Sequence, residues 1–175
     1  MNLPENLEVL IITLSDRAYR GEYEDLSGPR ISELVQEYFE PLQMKCTVTE
    51  VIIPDEAEEL SNIINVSGST FNIIFTTGGT GIGPRDITVD VIKPLITREI
   101  PGIMEFIRVK YGADKPNALL SRGVAGIIGN TLIYTLPGSV RAVTEYMEEI
   151  LKTLEHTIYM QYGIDAHKLP DKSEE

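Results

Sequence analysis

The chain has 175 residues, 42% hydrophobic and 24% charged, a composition typical of one globular domain that buries its own core. Its formal net charge of −12 at pH 7 disfavours non-specific binding to nucleic acids and to anionic membranes. Cys46 is the single cysteine, which excludes an intrachain disulfide and a cysteine metal cluster. Neither a signal peptide nor a membrane-spanning apolar run is evident, so the sequence predicts a cytoplasmic protein.

Short apolar strands alternate with amphipathic helices in the first half of the chain. The predicted strands cover residues 7–14, 44–53 and 71–76. A helix whose apolar residues share one face, at positions 31 to 39, separates the first two strands, and a second helix opens at Pro54 and Asp55. This order predicts an α/β fold with three layers, α/β/α, around a mainly parallel central sheet.

The second half is predicted to add an antiparallel hairpin strand to this sheet. Strands over 124–128 and 131–136 flank Gly129 and Asn130, a pair suited to a hairpin turn. Helices are expected over 88–97, over 103–111, and over a long segment that begins after Pro137, Gly138 and Ser139. We assign residues 1–164 to one domain and predict a flexible tail over 165–175.

A glycine-rich loop follows the third predicted strand. Gly78, Gly79, Gly81 and Gly83 lie within six positions, with Thr77 directly before them and Thr80 among them. Such loops can turn backbone N–H groups toward a bound anion, which indicates a phosphate-bearing ligand. The spacing fits neither a dinucleotide fingerprint nor a Walker A loop, because Pro84 and Arg85 stand where the latter needs Lys and Ser or Thr.

Acidic and basic residues follow the strand ends, which meet at one edge of a parallel sheet. Asp16, Asp55 and Asp86 beside Arg17 and Arg85 would suit a magnesium ion and the phosphates of a ligand. A structural role competes for each: the sequence favours helix capping for Asp55 and leaves a turn or cap role equally open for Asp86. Surface exposure would equally account for the two arginines.

Histidine-dependent nucleophilic catalysis is disfavoured by the positions of the two histidines. His156 lies inside the predicted final helix and His167 in the predicted tail. Both are far from the expected edge of the sheet, which argues against a Ser-His-Asp or Cys-His system.

Seven motifs follow one another along the chain: Ser15–Arg17, Tyr23–Pro29, Ile53–Glu56, Thr76–Thr88, Glu99–Gly102, Leu120–Gly126 and Leu136–Gly138. Together and in this order they resemble those of the molybdopterin adenylyltransferase family of molybdenum-cofactor biosynthesis. The ordered set extends over most of the chain. In two places the chain departs from the family pattern, because Val89 and Val140 stand where prolines are common; this concerns the rigidity of two helix starts.

The resemblance implies a trimeric enzyme that uses Mg-ATP to adenylylate molybdopterin, releases pyrophosphate and hands its product to a molybdate-inserting enzyme. It also implies that Asp55 and Asp86 are critical and that Ser121 contributes to molybdopterin binding. A non-catalytic molybdopterin-binding module of the same fold is the alternative. Apolar stripes on the final helix or on 103–111 could serve a subunit interface or only the core.

The resulting hypothesis gives Asp55 and Asp86 to Mg²⁺ and Arg85 to the charge that develops during phosphate transfer. The other predicted site residues bind the nucleotide, the pterin or their phosphates: Ser15, Asp16, Thr77, Gly78, Gly79, Thr80, Gly81, Ser121, Arg122, Pro137, Gly138 and Ser139.

Overall fold

Six strands form one sheet in the order β2-β1-β3-β6-β5-β4 in this computed structural model, which describes residues 3–68 and 70–164. The strands are β1 (Leu7–Leu14), β2 (Cys46–Ile53), β3 (Ile73–Thr77), β4 (Arg98–Glu99), β5 (Ala125–Ile128) and β6 (Thr131–Leu136). The α-helices are α1 (Asp16–Tyr19), α2 (Ser27–Phe39), α3 (Ala57–Ser67), α4 (Thr88–Ile92), α5 (Pro101–Gly112) and α6 (Val140–Gln161). Two 3₁₀ turns cover Lys93–Leu95 and Pro116–Leu120.

Four neighbouring strands, β2, β1, β3 and β6, are parallel and end nearly level with one another. Leu14 pairs with Ile53, and Thr77 pairs with both Thr13 and Leu136. The loops that follow these four strands therefore leave the sheet at the same edge. Beyond β6 the direction reverses, since β5 runs antiparallel to β6 and β4 antiparallel to β5.

The two faces of the sheet carry separate apolar cores. One face packs against α2, α5 and α6, and the other against α3 and α4. The apolar stripe of α6 is buried in the first core: Val143, Met147, Ile150, Leu154 and Ile158. The apolar stripe of α6 therefore belongs to the core and not to a subunit interface. In α5, Met104 and Ile107 are buried, whereas Phe106 and Val109 are 54% and 68% exposed.

The predicted three-layer α/β/α fold is confirmed, including the parallel core and the hairpin at Gly129, whose φ is +60°. The helix predicted over 88–97 is shorter, because it gives way after Ile92 to a 3₁₀ turn that contains Pro94, a residue without an N–H donor. Two short elements were not predicted from the sequence: α1, which Ser15 caps, and the two-residue edge strand β4. The predicted tail over 165–175 lies outside the described residues, and the domain limit at 164 stays a prediction.

The helix-capping roles considered for Asp55 and Asp86 are wrong. The residue that precedes α3 is Glu56 and the residue that precedes α4 is Ile87, and neither helix start has a side-chain cap. Within the described ranges, no helix combines the length and the hydropathy that crossing a membrane requires.

Candidate active site

The loops after β1 and β2 are joined by a reciprocal pair of hydrogen bonds. The Asp16 N–H donates to Asp55 Oδ2 at 3.3 Å, and the Asp55 N–H donates to Asp16 Oδ1 at 3.0 Å. Each carboxylate therefore orders the backbone of the other loop. Ser15 Oγ accepts a hydrogen bond from the Ala18 N–H at 3.2 Å and so caps α1 beside this pair.

The loops after β3 and β6 are joined just as closely. The Gly78 N–H donates to the Leu136 carbonyl at 3.0 Å, and Thr77 Oγ1 donates to the Pro137 carbonyl at 2.9 Å. A Cβ atom added to Gly138 would lie 3.3 Å from the Gly78 Cα. Thr77 and Gly78 thus connect two loops and line neither cavity of the site.

The first two loop glycines have backbone conformations that side chains disfavour. Gly78 and Gly79 have φ values of +98° and +64°. A Cβ at Gly78 would overlap the Leu14 carbonyl oxygen, and one at Gly79 would overlap the Thr88 hydroxyl. Thr88 fixes this turn, because its Oγ1 donates to the Gly78 carbonyl at 2.8 Å. These glycines are therefore required by packing, independently of any ligand.

The other two glycines make room for the carboxylate of Asp86. A Cβ at Gly81 or Gly83 would lie 2.7 or 2.9 Å from Asp86 Oδ2. The same oxygen accepts a hydrogen bond from the Gly83 N–H at 2.7 Å, so Asp86 does stabilise the turn. In the described part of the chain, the N–H groups of Gly79, Thr80 and Gly81 make no hydrogen bond. They remain available to an anion.

A polar cavity of about 350 Å³ lies where these loops meet. Asp16, Asp55 and Asp86 line it together with three arginines, Arg17, Arg20 and Arg85, and with Leu14, Ser15 and Gly79. The Arg85 guanidinium forms an ion pair with Asp16, and its Nη2 lies 4.0 Å from Asp55 Oδ2. The convergence of acidic and basic residues expected at this edge is therefore observed.

Burial raises the pKa of Asp55 above its ordinary value, and the negative charge of Asp86 raises it further. The two carboxylates thus lie close enough to repel each other. A bound cation would relieve this repulsion. Within residues 3–68 and 70–164, no group of three or more His, Cys, Asp or Glu side chains could hold a metal ion. Two carboxylates supplemented by phosphate oxygens and water are nevertheless a usual set of ligands for Mg²⁺.

A second, largely apolar cavity of about 530 Å³ adjoins the first, and Gly79 and Asp86 line both. Of the predicted site residues, this larger cavity is lined by Gly79, Thr80, Gly81, Asp86, Ser121, Pro137, Gly138 and Ser139. Several further lining residues were not predicted from the sequence, among them Tyr111, Lys115, Arg141, Glu145 and Tyr146. Only Arg141 could have been suspected, since it lies in the first turn of the predicted final helix.

Arg122 lines neither cavity, although the sequence predicts that it binds a substrate. Its guanidinium donates to the Gly81 carbonyl at 2.7 Å and to the Asp86 carbonyl at 2.8 Å, and it pairs with the Asp90 carboxylate at 2.8 and 3.0 Å. Arg122 therefore holds the glycine loop at Gly81 and at Asp86. His156 also lines neither cavity, and His167 lies outside the described residues.

Residues 10–156 match the family described as a probable molybdopterin binding domain. The chain belongs to this family. It is 33% identical over 162 residues to the molybdopterin adenylyltransferase of Helicobacter pylori strain J99, covering 91% of this chain and 90% of that protein. The crystal structure of the molybdopterin biosynthesis enzyme MoaB from Thermus thermophilus superposes with a TM-score of 0.77 at 34% identity, covering 90% of this chain and 97% of that one.

Some members of the family are much longer. The chain is 36% identical over 168 residues to gephyrin of Dictyostelium discoideum, covering 92% of this chain but 23% of gephyrin. It therefore spans about a quarter of the length of that relative.

The hydrogen bonds of Arg122 predict a loop-specific effect of its removal. In Arg122→Met the Gly81 and Asp86 carbonyls lose their donor, so we expect faster hydrogen exchange of the hydrogen-bonded amides of this loop, those of Gly83, Asp86 and Thr88. The free energy of unfolding should fall by about 1 kcal/mol. Hydrogen exchange with mass spectrometry and chemical denaturation would measure both effects. The exposed Arg98 is a matched control for Met substitution; equal exchange in the two variants would contradict the role of Arg122.

The raised pKa of Asp55 predicts that this side chain costs stability in the unliganded protein. Between the ordinary carboxyl pKa of about 4 and the raised value, the native protein binds more protons than the unfolded chain. Stability from this group therefore falls as pH rises through that window and remains reduced above it. We expect Asp55→Asn to unfold at a higher temperature than the wild type near neutral pH, with the difference vanishing below the ordinary pKa.

Thermal unfolding as a function of pH would check this, with the exposed Glu58→Gln as the control. An Asp55→Asn variant that is less stable than the wild type at neutral pH would show that the contacts of this carboxylate outweigh its desolvation.

Proposed function

We propose that the chain is a molybdopterin adenylyltransferase, which joins the AMP part of ATP to the phosphate of molybdopterin and releases pyrophosphate. The observation that carries the proposal is the pair of adjoining cavities that share Gly79 and Asp86. The polar cavity suits a triphosphate and a cation, and the apolar cavity suits a flat ring system. The name of the relative from Helicobacter pylori supports the same activity.

In the proposed reaction, an oxygen of the molybdopterin phosphate attacks the α-phosphorus of ATP. The bond between the α-phosphorus and its bridging oxygen to the β-phosphate breaks, and pyrophosphate leaves with that oxygen. A new phosphoanhydride links AMP to the pterin phosphate. The protein must align two anionic groups and offset their charge, which calls for no covalent intermediate.

The shared wall of the two cavities is where the reacting phosphates would meet. The free N–H groups of Gly79, Thr80 and Gly81 would bind phosphate oxygens there. Arg85 is 66% exposed beside Asp16, so it can exchange its carboxylate partner for a phosphate. Arg122 would act indirectly, because its hydrogen bonds hold the glycine loop in place.

Asp55 and Asp86 would hold Mg²⁺. Burial raises the pKa of Asp55 and the charge of Asp86 raises it further, and this repulsion between the two carboxylates is the property of the structure that fits a cation. When bound, Mg²⁺ would neutralise charge on the phosphates of ATP.

The start of α6 lies beside the larger cavity and is capped by Ser139. The Ser139 hydroxyl accepts a hydrogen bond from the Ala142 N–H, which stabilises this helix start without the proline common at position 140.

Asp86→Asn should abolish adenylyl transfer while leaving the fold intact. The variant loses one of the two charges assigned to the cation, so we expect kcat to fall by about 100-fold or more. Pyrophosphate release from ATP, dependent on added molybdopterin and Mg²⁺, would be measured against Glu58→Gln. Full activity of Asp86→Asn would remove the assigned role; wild-type protein that binds molybdopterin without releasing pyrophosphate would favour the binding-module alternative.

We further propose that the protein is a homotrimer located in the cytoplasm and that it hands its product to a molybdate-inserting enzyme. Support for assembly comes from exposed apolar side chains on α5 and on the following 3₁₀ turn: Phe106, Val109, Leu119 and Leu120. Core packing does not account for these four, since each exposes about half of its surface or more.

Sedimentation equilibrium should give three times the chain mass of 19.5 kDa. Phe106→Asp should lower the mass toward one chain, because a charge in an apolar interface lacks a partner. Tyr19→Asp is the control, because Tyr19 is about as exposed as Phe106 and lies in α1, before the glycine loop in the sequence. A wild-type monomer at micromolar concentration would contradict the trimer.

A further inference from the structure

The larger cavity is lined by a cluster of three charged side chains to which the family resemblance assigns no role. Lys115, Arg141 and Glu145 all line this cavity. The Lys115 ammonium and Arg141 Nε both donate to the same atom, Glu145 Oε1, the latter at 3.2 Å. Among the described residues, no hydrogen bond or ion pair uses the other oxygen, Oε2.

A neighbouring glutamate shows what a purely structural ion pair looks like on the same helix. Glu149 lies one turn further along α6, is 6% exposed, and lines neither cavity. Both of its oxygens are used, because Lys110 bonds to Oε1 and Lys152 lies 3.0 Å from each oxygen. Glu145 differs in two respects, since it borders a cavity and one of its oxygens has no partner among the described residues.

The chemistry of this group suits one edge of a pterin. A 2-amino-4-oxopteridine carries two adjacent donors, the 2-amino group and N3–H, next to the acceptor O4. A carboxylate oxygen accepts and an ammonium group donates, so the free Glu145 Oε2 and Lys115 offer the complementary pattern. Tyr111 and Tyr146 add aromatic surface to the same cavity, which favours a flat ring.

We propose that Glu145 recognises the amino edge of the pterin. Its Oε2 accepts hydrogen bonds from the 2-amino group and from N3–H, and Lys115 donates a hydrogen bond to O4. Arg141 and Lys115 together hold Oε1 and so orient the carboxylate. This inference rests on the proposed function for the identity of the ligand. It assigns recognition of the ring to residues other than Ser121, Arg122 and the loop before α6.

Glu145→Gln should reverse the polarity of the recognising atom. Lys115 and Arg141 both need an acceptor, so the glutamine carbonyl should take the position of Oε1. Its NH₂ group then occupies the position of Oε2 and faces the pterin donors with a donor. Loss of a hydrogen bond to a charged group corresponds to about 10- to 100-fold in affinity.

The test compares pterin with lumazine, which has an oxygen in place of the 2-amino group, by fluorescence titration without ATP. The wild type should prefer pterin by about 10- to 100-fold, and Glu145→Gln should reduce this preference to about threefold or less. Glu149→Gln, the same change one turn away, should keep the wild-type preference. In turnover with molybdopterin, Glu145→Gln should raise KM with a smaller effect on kcat.

Three results would overturn the inference. They are the same pterin preference in Glu145→Gln as in the wild type, no binding of pterin to the wild type at millimolar concentration, and tighter pterin binding by the variant. Pyrophosphate release by the wild type separates this inference from the proposed function. Activity with an unchanged KM in Glu145→Gln would contradict the inference alone, and a wild type that selects pterin but lacks activity would contradict the function alone.

Discussion

The close contact between the backbones of three strand-end loops is the constraint on which the site depends. Gly78 approaches the Leu14 carbonyl so nearly that any side chain would overlap it, and Gly138 packs against Gly78. This approach is possible because β1, β3 and β6 are parallel neighbours that end level. The contact brings Asp86 close to Asp16, and the reciprocal hydrogen bonds between Asp16 and Asp55 bring the carboxylate of Asp55 to the same cavity from the loop after β2. A larger residue at position 78 would separate the loops and with them the two cavities.

The electrostatics of the smaller cavity oppose the stability of the unliganded chain. Burial and the charge of Asp86 both disfavour the ionised form of Asp55, and the nearest cation, Arg85, lies 4.0 Å away and is largely exposed. A site selected only for stability would not retain two repelling carboxylates. Binding of a cation and a polyanion together would satisfy the acidic and the basic groups in one step.

Polar residues of the site divide into those that hold the loops and those that remain free for a ligand. Thr88 and Arg122 bond to the carbonyl groups of Gly78, Gly81 and Asp86, so they anchor the glycine loop without the proline that is common at position 89. Among the described residues, the N–H groups of Gly79, Thr80 and Gly81 and the Oε2 atom of Glu145 keep unused hydrogen-bonding capacity. The residues that position the loop are therefore different from the groups that could bind a substrate.

The sequence by itself determined the layered fold, the parallel strands and the loops that meet at their ends, because apolar periodicity and glycine spacing are local properties of the chain. It could also place Asp55, Asp86 and the glycine loop at one edge, since parallel topology brings consecutive strand ends together. Only the tertiary structure decided that Arg122 bonds to the loop and that Lys115, Arg141 and Glu145 share a cavity. Arg141 and Glu145 lie one turn apart on α6, but the contacts of Lys115 with Glu145 and of Arg122 with Gly81 join residues 30 and 41 positions apart. Side-chain partners at such separations leave no periodic signal in the sequence.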